Sequence, residues 1–121
     1  MAKLRILVAD DEEGIRESLR LILGKEYDVV FAEDGQQAAT MIARNHLDLV
    51  LLDIKMPKVD GLEIMKRLAK QRRQLPVVVL TAYQSVELAK EAVKLGAVDY
   101  LPKPFDRESL LAAIHDALAK K

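Results

Sequence analysis

The sequence predicts a doubly wound α/β fold, in which helices cover both faces of a five-stranded parallel sheet. Five short apolar runs rich in β-branched residues recur along the 121 residues, and five segments of helical periodicity separate and follow them. The apolar runs are mostly continuous rather than alternating, which is typical of strands buried on both faces. Alternating strands and helices favour parallel pairing with right-handed crossovers. We therefore expect a single domain over residues 1–121.

The five predicted strands are bounded by turn and helix signals. They cover residues 4–9, 27–32, 49–53, 76–81 and 98–101. Asp34-Gly35 follows the second strand and Asp60-Gly61 follows the third, and both pairs are typical of turns. The spacing leaves no room for a linker or a second domain between these elements.

The five predicted helices each carry apolar residues three and four positions apart, which places those residues on one helix face. Gly24 and Gly96 follow the first and fourth of these segments and are predicted to end them. The residues that mark the five apolar faces are, in chain order, Ile15, Leu19, Ile22 and Leu23; Ala38, Met41 and Ile42; Leu62, Met65 and Leu68; Val86, Ala89, Ala92 and Val93; and Leu110, Leu111, Ile114 and Leu118.

The composition excludes several functional classes. The 19 basic and 19 acidic side chains give no net charge, so nothing in the overall balance attracts nucleic acid. The chain has no cysteine, which excludes disulfides, thiolate metal sites and thiol catalysis and favours a reducing, cytoplasmic location. No apolar run approaches the roughly 18 residues of a membrane span, so no membrane association is expected.

Polar side chains follow four of the five predicted strands. These are Asp10-Asp11 after the first, Asp53 at the end of the third, Thr81 at the end of the fourth, and Lys103 between two prolines after the fifth. Acidic residues before a helix often serve as caps, but an acid that ends a buried run needs partners or a function. Ligands of open α/β sheets bind beyond the carboxyl ends of the strands, so these side chains are predicted to form one site.

The predicted site is rich in oxygen ligands. Carboxylates without a neighbouring cysteine or histidine suit a hard divalent cation, and Mg²⁺ is the natural choice. A lysine and a hydroxyl opposite such a cation form a pocket for a phosphoryl group. On this reasoning Asp53 is either a spectator ligand or a nucleophile that holds the phosphoryl group as a mixed anhydride.

Competing site motifs are missing from the sequence. It contains no G-x-G-x-x-G, no G-x-x-x-x-G-K-[ST] and no G-x-S-x-G, so dinucleotide, P-loop and Ser-His-Asp sites are not expected. His46 and His115 are the only histidines, and neither neighbours the acidic residues in sequence. Both are predicted to lie on a helix surface or in a loop.

Five motifs occur in order on the predicted elements: Asp10-Asp11, Asp53 with Met56-Pro57, Asp60-Gly61, Thr81-Ala82 and Lys103-Pro104. With this set the chain resembles, over its entire length, the receiver domain of two-component response regulators. The resemblance implies a flavodoxin-like (βα)5 fold. Residues 81–106 are most similar to receivers of nitrogen-regulator-class sigma-54 activators or to stand-alone phosphorelay receivers.

The resemblance implies a role for each acidic position. Asp53 would be the phosphoacceptor, which receives a phosphoryl group from the phosphohistidine of a sensor histidine kinase or a histidine phosphotransfer protein. Asp10 and Asp11 would hold Mg²⁺, together with a side-chain oxygen of Asp53 and the backbone carbonyl of Lys55. The protein would not be an enzyme beyond catalysing its own phosphorylation and dephosphorylation.

The resemblance also implies a switch. Lys103 would pair with Asp53 and then with the phosphoryl oxygens, and its peptide bond to Pro104 is usually cis in the family. Thr81 would move toward the phosphoryl group, and Tyr100 would turn inward behind it. The surface of the fourth helix, fifth strand and fifth helix would then regulate a downstream effector domain or protein. The resemblance also allows a phosphorylation-dependent homodimer, whereas this segment would bind no nucleic acid.

Two further interpretations remain open at this point. A small aspartyl-phosphate phosphatase is disfavoured because that chemistry calls for D-x-D after the first strand, whereas Asp10 and Asp11 are adjacent. A receiver-like binding module that takes no phosphate is disfavoured because every expected site residue is present. Lys55 and Tyr83 are large residues beside the site, and they predict slow hydrolysis of the phosphorylated form because they would crowd the attacking water.

Overall fold

Five strands and five helices alternate along the chain in a computed structural model that describes residues 3–82 and 85–119. The strands are β1 (Arg5–Ala9), β2 (Asp28–Ala32), β3 (Leu49–Leu52), β4 (Val77–Thr81) and β5 (Asp99–Pro102). The helices are α1 (Glu13–Leu23), α2 (Gly35–Arg44), α3 (Gly61–Lys70), α4 (Val86–Lys94) and α5 (Arg107–Ala119). The predicted (βα)5 order is confirmed.

All strand pairs are parallel, and the order across the sheet is β2-β1-β3-β4-β5. The chain therefore winds outward from β1 in one direction to β2 and in the other direction through β3 and β4 to β5. This doubly wound order places a topological switch point between β1 and β3, where ligands of such sheets bind.

The core lies on both faces of the sheet, because successive residues of each strand point to opposite sides. In β1, Ile6 and Val8 belong to the apolar cluster formed with α1 and α5, whereas Leu7 and Ala9 belong to the cluster formed with α2, α3 and α4. The continuous apolar character of the strands follows from this double coverage. None of the helices within the described residues has both the length and the apolar character needed to cross a bilayer.

Most of the strand ends lie one residue away from their predicted positions. The residues predicted as strand that lie just outside the observed strands are Leu4, Tyr27, Asp53, Pro76 and Val98. Apolar composition reports burial, and burial extends beyond the paired residues: Tyr27, for example, is only 7% exposed. The strand boundaries thus follow pairing, which composition does not encode.

Two of the predicted turns also cap helices. The Asp34 carboxylate accepts a hydrogen bond from the Gln37 N–H (2.8 Å) at the start of α2. The Asp60 carboxylate accepts one from the Glu63 N–H (2.9 Å) at the start of α3. These bonds satisfy backbone donors that have no partner within the first helical turn.

The two predicted helix stops differ in conformation. Gly24 ends α1 in the right-handed region, with φ of −63°. Gly96 follows α4 with φ of 107°, which side chains other than that of glycine rarely adopt. In this conformation the N–H groups of Gly96 and Ala97 donate to carbonyls in the last turn of α4 (3.0 and 2.9 Å).

Candidate functional site

The backbone places the predicted polar residues at the carboxyl edge of the sheet. Hydrogen bonding continues one residue beyond the strands: the Asp53 N–H donates to the Ala9 carbonyl (3.0 Å), and the Lys103 N–H donates to the Thr81 carbonyl (2.9 Å). These bonds fix the points from which the Asp53 and Lys103 side chains depart. The two side chains therefore meet although 50 positions separate them in the sequence.

Polar side chains are buried at this edge. Asp10 is 2% exposed, Asp53 is 5% exposed, Thr81 is fully buried and Lys103 is 8% exposed. Lys103 is the one buried basic residue among those the structure describes. A buried charge is destabilising by several kcal/mol unless it is paired, so the partners of these groups determine what the site can do.

The Lys103 ammonium contacts three carboxylates. Its Nζ lies 2.6 Å from Asp10 Oδ2, 3.1 Å from Asp53 Oδ2 and 3.1 Å from Glu12 Oε1. The contacts with Asp53 and Glu12 are hydrogen bonds, whereas the contact with Asp10 is an ion pair. The Lys103–Pro104 peptide bond is cis, as the family resemblance implies.

Burial and pairing shift the ionisation of this cluster. Burial raises the pKa of Asp10, and its contacts with Lys103 only partly offset that effect. Burial alone would lower the pKa of Lys103, but its ion-pair contact with Asp10 and the charge of Asp53 outweigh burial and raise that pKa. Lys103 therefore remains a cation at neutral pH, where it can hold anionic groups.

Four carboxylates at this edge form an acidic cluster. The side chains of Asp10, Asp11, Glu12 and Asp53 each place an oxygen within 4.8 Å of the others. Within the described ranges, buried Asp10 Oδ2 has no hydrogen bond of ordinary geometry, although it lies in ion-pair contact with Lys103. A hard cation that takes carboxylate oxygens, such as Mg²⁺, fits both this donor set and the available oxygen.

The loop after Asp53 is held by two close backbone approaches. The Gly61 N–H donates to the Ile54 carbonyl (2.7 Å), and a Cβ at Gly61 would lie 2.4 Å from the Asp53 carbonyl oxygen. A Cβ at Gly35 would lie 1.5 Å from the Val59 carbonyl oxygen. Both positions thus require glycine, and together they fix the loop that begins at Asp53.

Lys55 lies in this loop, where its N–H donates to Asp53 Oδ1 (3.3 Å) and its side chain is exposed. This bond holds the Asp53 oxygen that Lys103 does not contact. Tyr83, which the sequence paired with Lys55 as an obstacle to water, lies outside the described residues.

Thr81 and Tyr100 lie on adjacent strands beside the cluster. Thr81 ends β4 and is in register with Pro102 of β5. Tyr100 is half-buried and packs against the apolar cluster formed with α2, α3 and α4. Burial and, to a smaller extent, the charge of Asp53 raise the pKa of the Tyr100 phenol. The phenol thus lies within electrostatic range of the acidic cluster.

Sequence reasoning missed one contact. The sequence patterns assigned no partner to Glu12, whereas the structure brings its carboxylate to Lys103. The available signal was local: Glu12 occupies the N-cap position of α1, where serine, threonine, aspartate and asparagine are preferred.

The histidines are remote from the cluster, as expected. His46 Nε2 lies 3.4 Å from Asp48 Oδ1, next to the start of β3. His115, on α5, has its Nε2 3.7 Å from Glu26 Oε2. Both imidazoles are largely exposed, and the acidic cluster therefore contains oxygen ligands alone.

Comparison with known proteins identifies the family. A family model described as the response regulator receiver domain matches residues 6–115, which include every residue of the acidic cluster and Lys103. The chain belongs to the response regulator receiver domains. It is thus a signalling domain of two-component systems, as the sequence motifs predict.

The receiver domain has curated relatives and solved neighbours. It is 46% identical over 118 residues to response regulator MprA of Mycobacterium sp. (strain KMS), a match that covers 97% of this chain and 51% of that protein. The Francisella response regulator 1452 receiver domain matches with a TM-score of 0.91, 33% identity and 98% coverage of both chains. A CheY-like receiver domain protein from Methanospirillum hungatei JF-1 matches with a TM-score of 0.92 and 30% identity, over 98% of this chain and 96% of that one.

The receiver domain spans about half the length of the curated relatives that it matches. The family and the fold are therefore shown for residues common to these proteins. The finer resemblance to nitrogen-regulator-class or stand-alone receivers stays a prediction.

Proposed function

We propose that the receiver domain, over residues 1–121, works as a phosphoacceptor switch and that Asp53 carries the phosphoryl group. The observation that supports this most directly is the buried contact of Asp53 Oδ2 with Lys103 Nζ at 3.1 Å. The contact places a fixed cation beside the proposed phosphoacceptor at the carboxyl edge of the sheet. Phosphoryl transfer depends mainly on such positioning and on neutralisation of charge.

The transfer itself needs few groups. With a small acyl phosphate as donor, an Asp53 oxygen forms a bond to phosphorus while the bond from phosphorus to the donor oxygen breaks. The donor carboxylate leaves with the electron pair, and Asp53 becomes a mixed anhydride; no proton is transferred. Lys103 stabilises the phosphoryl oxygens because a charge-assisted hydrogen bond strengthens as negative charge concentrates there.

The acidic cluster would hold Mg²⁺ through Asp10, Asp11 and Asp53, with the backbone carbonyl of Lys55 as a further ligand. When bound, Mg²⁺ supplies positive charge next to the phosphoryl oxygens. The close backbone approaches at Gly35 and Gly61 keep the loop that contains Lys55 beside the cluster, which supports this assignment.

The switch would run through Thr81 and Tyr100. Thr81 ends the strand next to Lys103 and carries a hydroxyl that can donate to a phosphoryl oxygen. A shift of Thr81 changes the space available to Tyr100, and α4, β5 and α5 form the surface that this change would alter. We propose a downstream effector domain or protein as the partner of that surface, and no nucleic-acid contact for this segment.

The donor partner would be a sensor histidine kinase or a histidine phosphotransfer protein, in a reducing cytoplasm. A homodimer that forms on phosphorylation is a second candidate assembly. The domain would catalyse only its own phosphorylation and dephosphorylation and would not otherwise be an enzyme.

The proposal is tested with acetyl phosphate and Mg²⁺. We expect the intact mass to rise by one phosphoryl group, and we expect no rise in Asp53→Asn or after chelation of the metal. Steady turnover of unrelated phosphomonoesters would favour the phosphatase. A wild-type protein without an adduct would favour the inert binding module.

Lys55 provides a test of phosphoryl lifetime. Its exposed side chain lies two residues after Asp53, where it would obstruct an attacking water. We expect Lys55→Asn to shorten the half-life of the phosphorylated protein, measured by intact mass after removal of the donor. Lys58→Asn, in the same loop, is the control, and an unchanged decay rate in Lys55→Asn would contradict the proposal.

A further inference from the structure

Glu12 occupies an unusual position. It is the N-cap residue of α1, with extended backbone angles (φ −92°, ψ 117°), yet its side chain makes no capping hydrogen bond. Its carboxylate instead accepts a hydrogen bond from Nζ of Lys103 (3.1 Å), a residue 91 positions later in the chain. The side chain thus joins the start of α1 to the connection between β5 and α5 rather than stabilising its own helix.

This contact takes up one of the Lys103 donors. Its Nζ donates hydrogen bonds to Asp53 and Glu12, and Asp10 lies in ion-pair contact at 2.6 Å, so three carboxylates already surround its three N–H groups. A phosphoryl group on Asp53 presents acceptor oxygens that also require a donor. One phosphoryl oxygen can replace the Asp53 oxygen beside Lys103, but a second phosphoryl contact requires that Glu12 or Asp10 leave.

Exposure decides which partner leaves. The Glu12 side chain is 59% exposed, whereas the side chains of Asp10 and Asp53 are 2% and 6% exposed. A released Glu12 carboxylate is solvated by water, and exposed pairs of this kind contribute little to stability. An Asp10 carboxylate released from Lys103 would remain buried without its cation, which is strongly unfavourable.

Charge acts in the same direction. A phosphoryl group adds about −1.5 to −2 charges at neutral pH. It would arrive where four carboxylates already lie within 4.8 Å of one another. Of the two exposed members, Glu12 is the one that contacts Lys103, so its departure relieves repulsion and frees a donor together.

We infer that Glu12 is a displaceable latch: it holds Lys103 while Asp53 is unmodified, and the phosphoryl group takes its place. The inference rests on the proposed role of Asp53 as phosphoacceptor. Glu12 is thus a positioning residue that acts through Lys103. Because it competes with the incoming group, it lowers the affinity of the site for a phosphoryl-like anion.

The test titrates beryllofluoride, a mimic of the phosphoryl group, at a Mg²⁺ concentration that saturates each variant. Binding is followed by amide NMR in wild type, Glu12→Ala and Glu13→Ala. Glu13 is the matched control because it is the adjacent exposed glutamate, in the first turn of α1. We expect the apparent affinity to rise about two- to fivefold in Glu12→Ala and to stay at the wild-type value in Glu13→Ala.

A spectroscopic readout separates displacement from a change in net charge. On saturation of the wild type with beryllofluoride, we expect the Glu12 side-chain carboxyl carbon signal to move to the position of a free glutamate. An unmoved Glu12 signal, or equal affinities in Glu12→Ala and Glu13→Ala, would overturn the latch. Failure of beryllofluoride to bind the wild type, or equal binding to Asp53→Asn, would instead refute the proposed phosphoacceptor and the latch with it.

Discussion

Strand β3 has a buried carboxylate at each end, and the two carboxylates differ in what surrounds them. Asp48, just before the strand, is 6% exposed, and Asp53, just after it, is 5% exposed. Asp48 accepts a hydrogen bond from the Arg5 N–H (2.8 Å) and lies beside exposed His46. Asp53 shares the Lys103 ammonium with two other carboxylates.

The difference lies in charge balance rather than in burial. At the amino end, the Asp48 carboxylate accepts a hydrogen bond from a backbone N–H of β1, and this bond links β1 to the start of β3. At the carboxyl end, four carboxylates lie around a single buried ammonium. That surplus of negative charge is unfavourable for folding, and it gives the edge its capacity for a cation. A buried acid therefore indicates a candidate site when further carboxylates share its counterion.

Cavity size does not distinguish the candidate site from the amino edge of the sheet. An open cavity of about 910 Å³ lies near the amino edge, lined in part by Arg5, Tyr27, Asp28 and Asp48. Two of its charged groups pair with each other in the contact of Arg5 Nε with Asp28 Oδ2 at 2.8 Å, and both are part-exposed. The candidate site is instead identified by its buried charges.

The largest expected effect is on phosphorylation. We expect Asp53→Asn to abolish labelling by acetyl phosphate, because the amide replaces the attacking carboxylate oxygen. Asp48→Asn, at the other end of the same strand, should be labelled as the wild type is. Intact mass measures both, and equal labelling of the two variants would remove the contrast between the strand ends.

The next largest effect is on stability through Lys103. We expect Lys103→Ala to lower the free energy of unfolding by about 3 kcal/mol without Mg²⁺, because Asp10 and Asp53 lose their buried cation. Mg²⁺ should stabilise this variant more than the wild type, since the metal then supplies the missing charge. Urea unfolding with and without Mg²⁺ measures this, with Lys25→Ala as a surface control. The prediction fails if Lys103→Ala unfolds like Lys25→Ala.

Asp48 should give a smaller and different loss. We expect Asp48→Ala to lower the free energy of unfolding by about 1–3 kcal/mol, because the Arg5 N–H is left without its acceptor. The added stability from Mg²⁺ should equal that of the wild type. The same urea series tests this, and a Mg²⁺ response as large as that of Lys103→Ala would show that the two ends are coupled.

The smallest effect concerns Tyr27 at the amino edge. Burial, with a smaller contribution from the charge of Glu26, raises the pKa of its phenol above 10.0. The unfolded chain therefore loses this proton first, and the stability that Tyr27 contributes is lost as pH rises above 10.0. We expect Tyr27→Phe to reduce the loss of stability above pH 10, as measured by urea unfolding. Superimposable pH profiles of variant and wild type would contradict the assignment.

The sequence was sufficient for the fold because its signals are local. Continuous apolar runs indicated strands covered on both faces, and three-and-four spacing indicated the helix faces; the two apolar clusters confirm both. It was less informative at the boundaries. Pro76 was predicted to lie in a strand because of its apolar neighbours, although it has no N–H to donate.

For the site, the order of residues along the chain predicted which side chains gather at one edge, but it did not predict the distances between them. The exits of β1, β3, β4 and β5 carried Asp10, Asp53, Thr81 and Lys103 to one edge, as parallel strands require. The contact between Glu12 and Lys103 depends on how far two flexible side chains reach across the sheet edge. The close approach of Gly35 to Val59 depends likewise on how two loops pack.

The sequence by itself determined the alternation of strands and helices, the edge at which the polar residues gather and the chemistry of their oxygen ligands. Those properties follow from periodicity and from the order of residues along the chain. The tertiary structure decided which carboxylates share Lys103, which of the two buried acids flanking β3 joins them, and that Glu12 contacts Lys103 rather than capping its own helix. These contacts depend on distances between segments far apart in the chain. Only the folded chain brings several buried carboxylates close enough together to form a site.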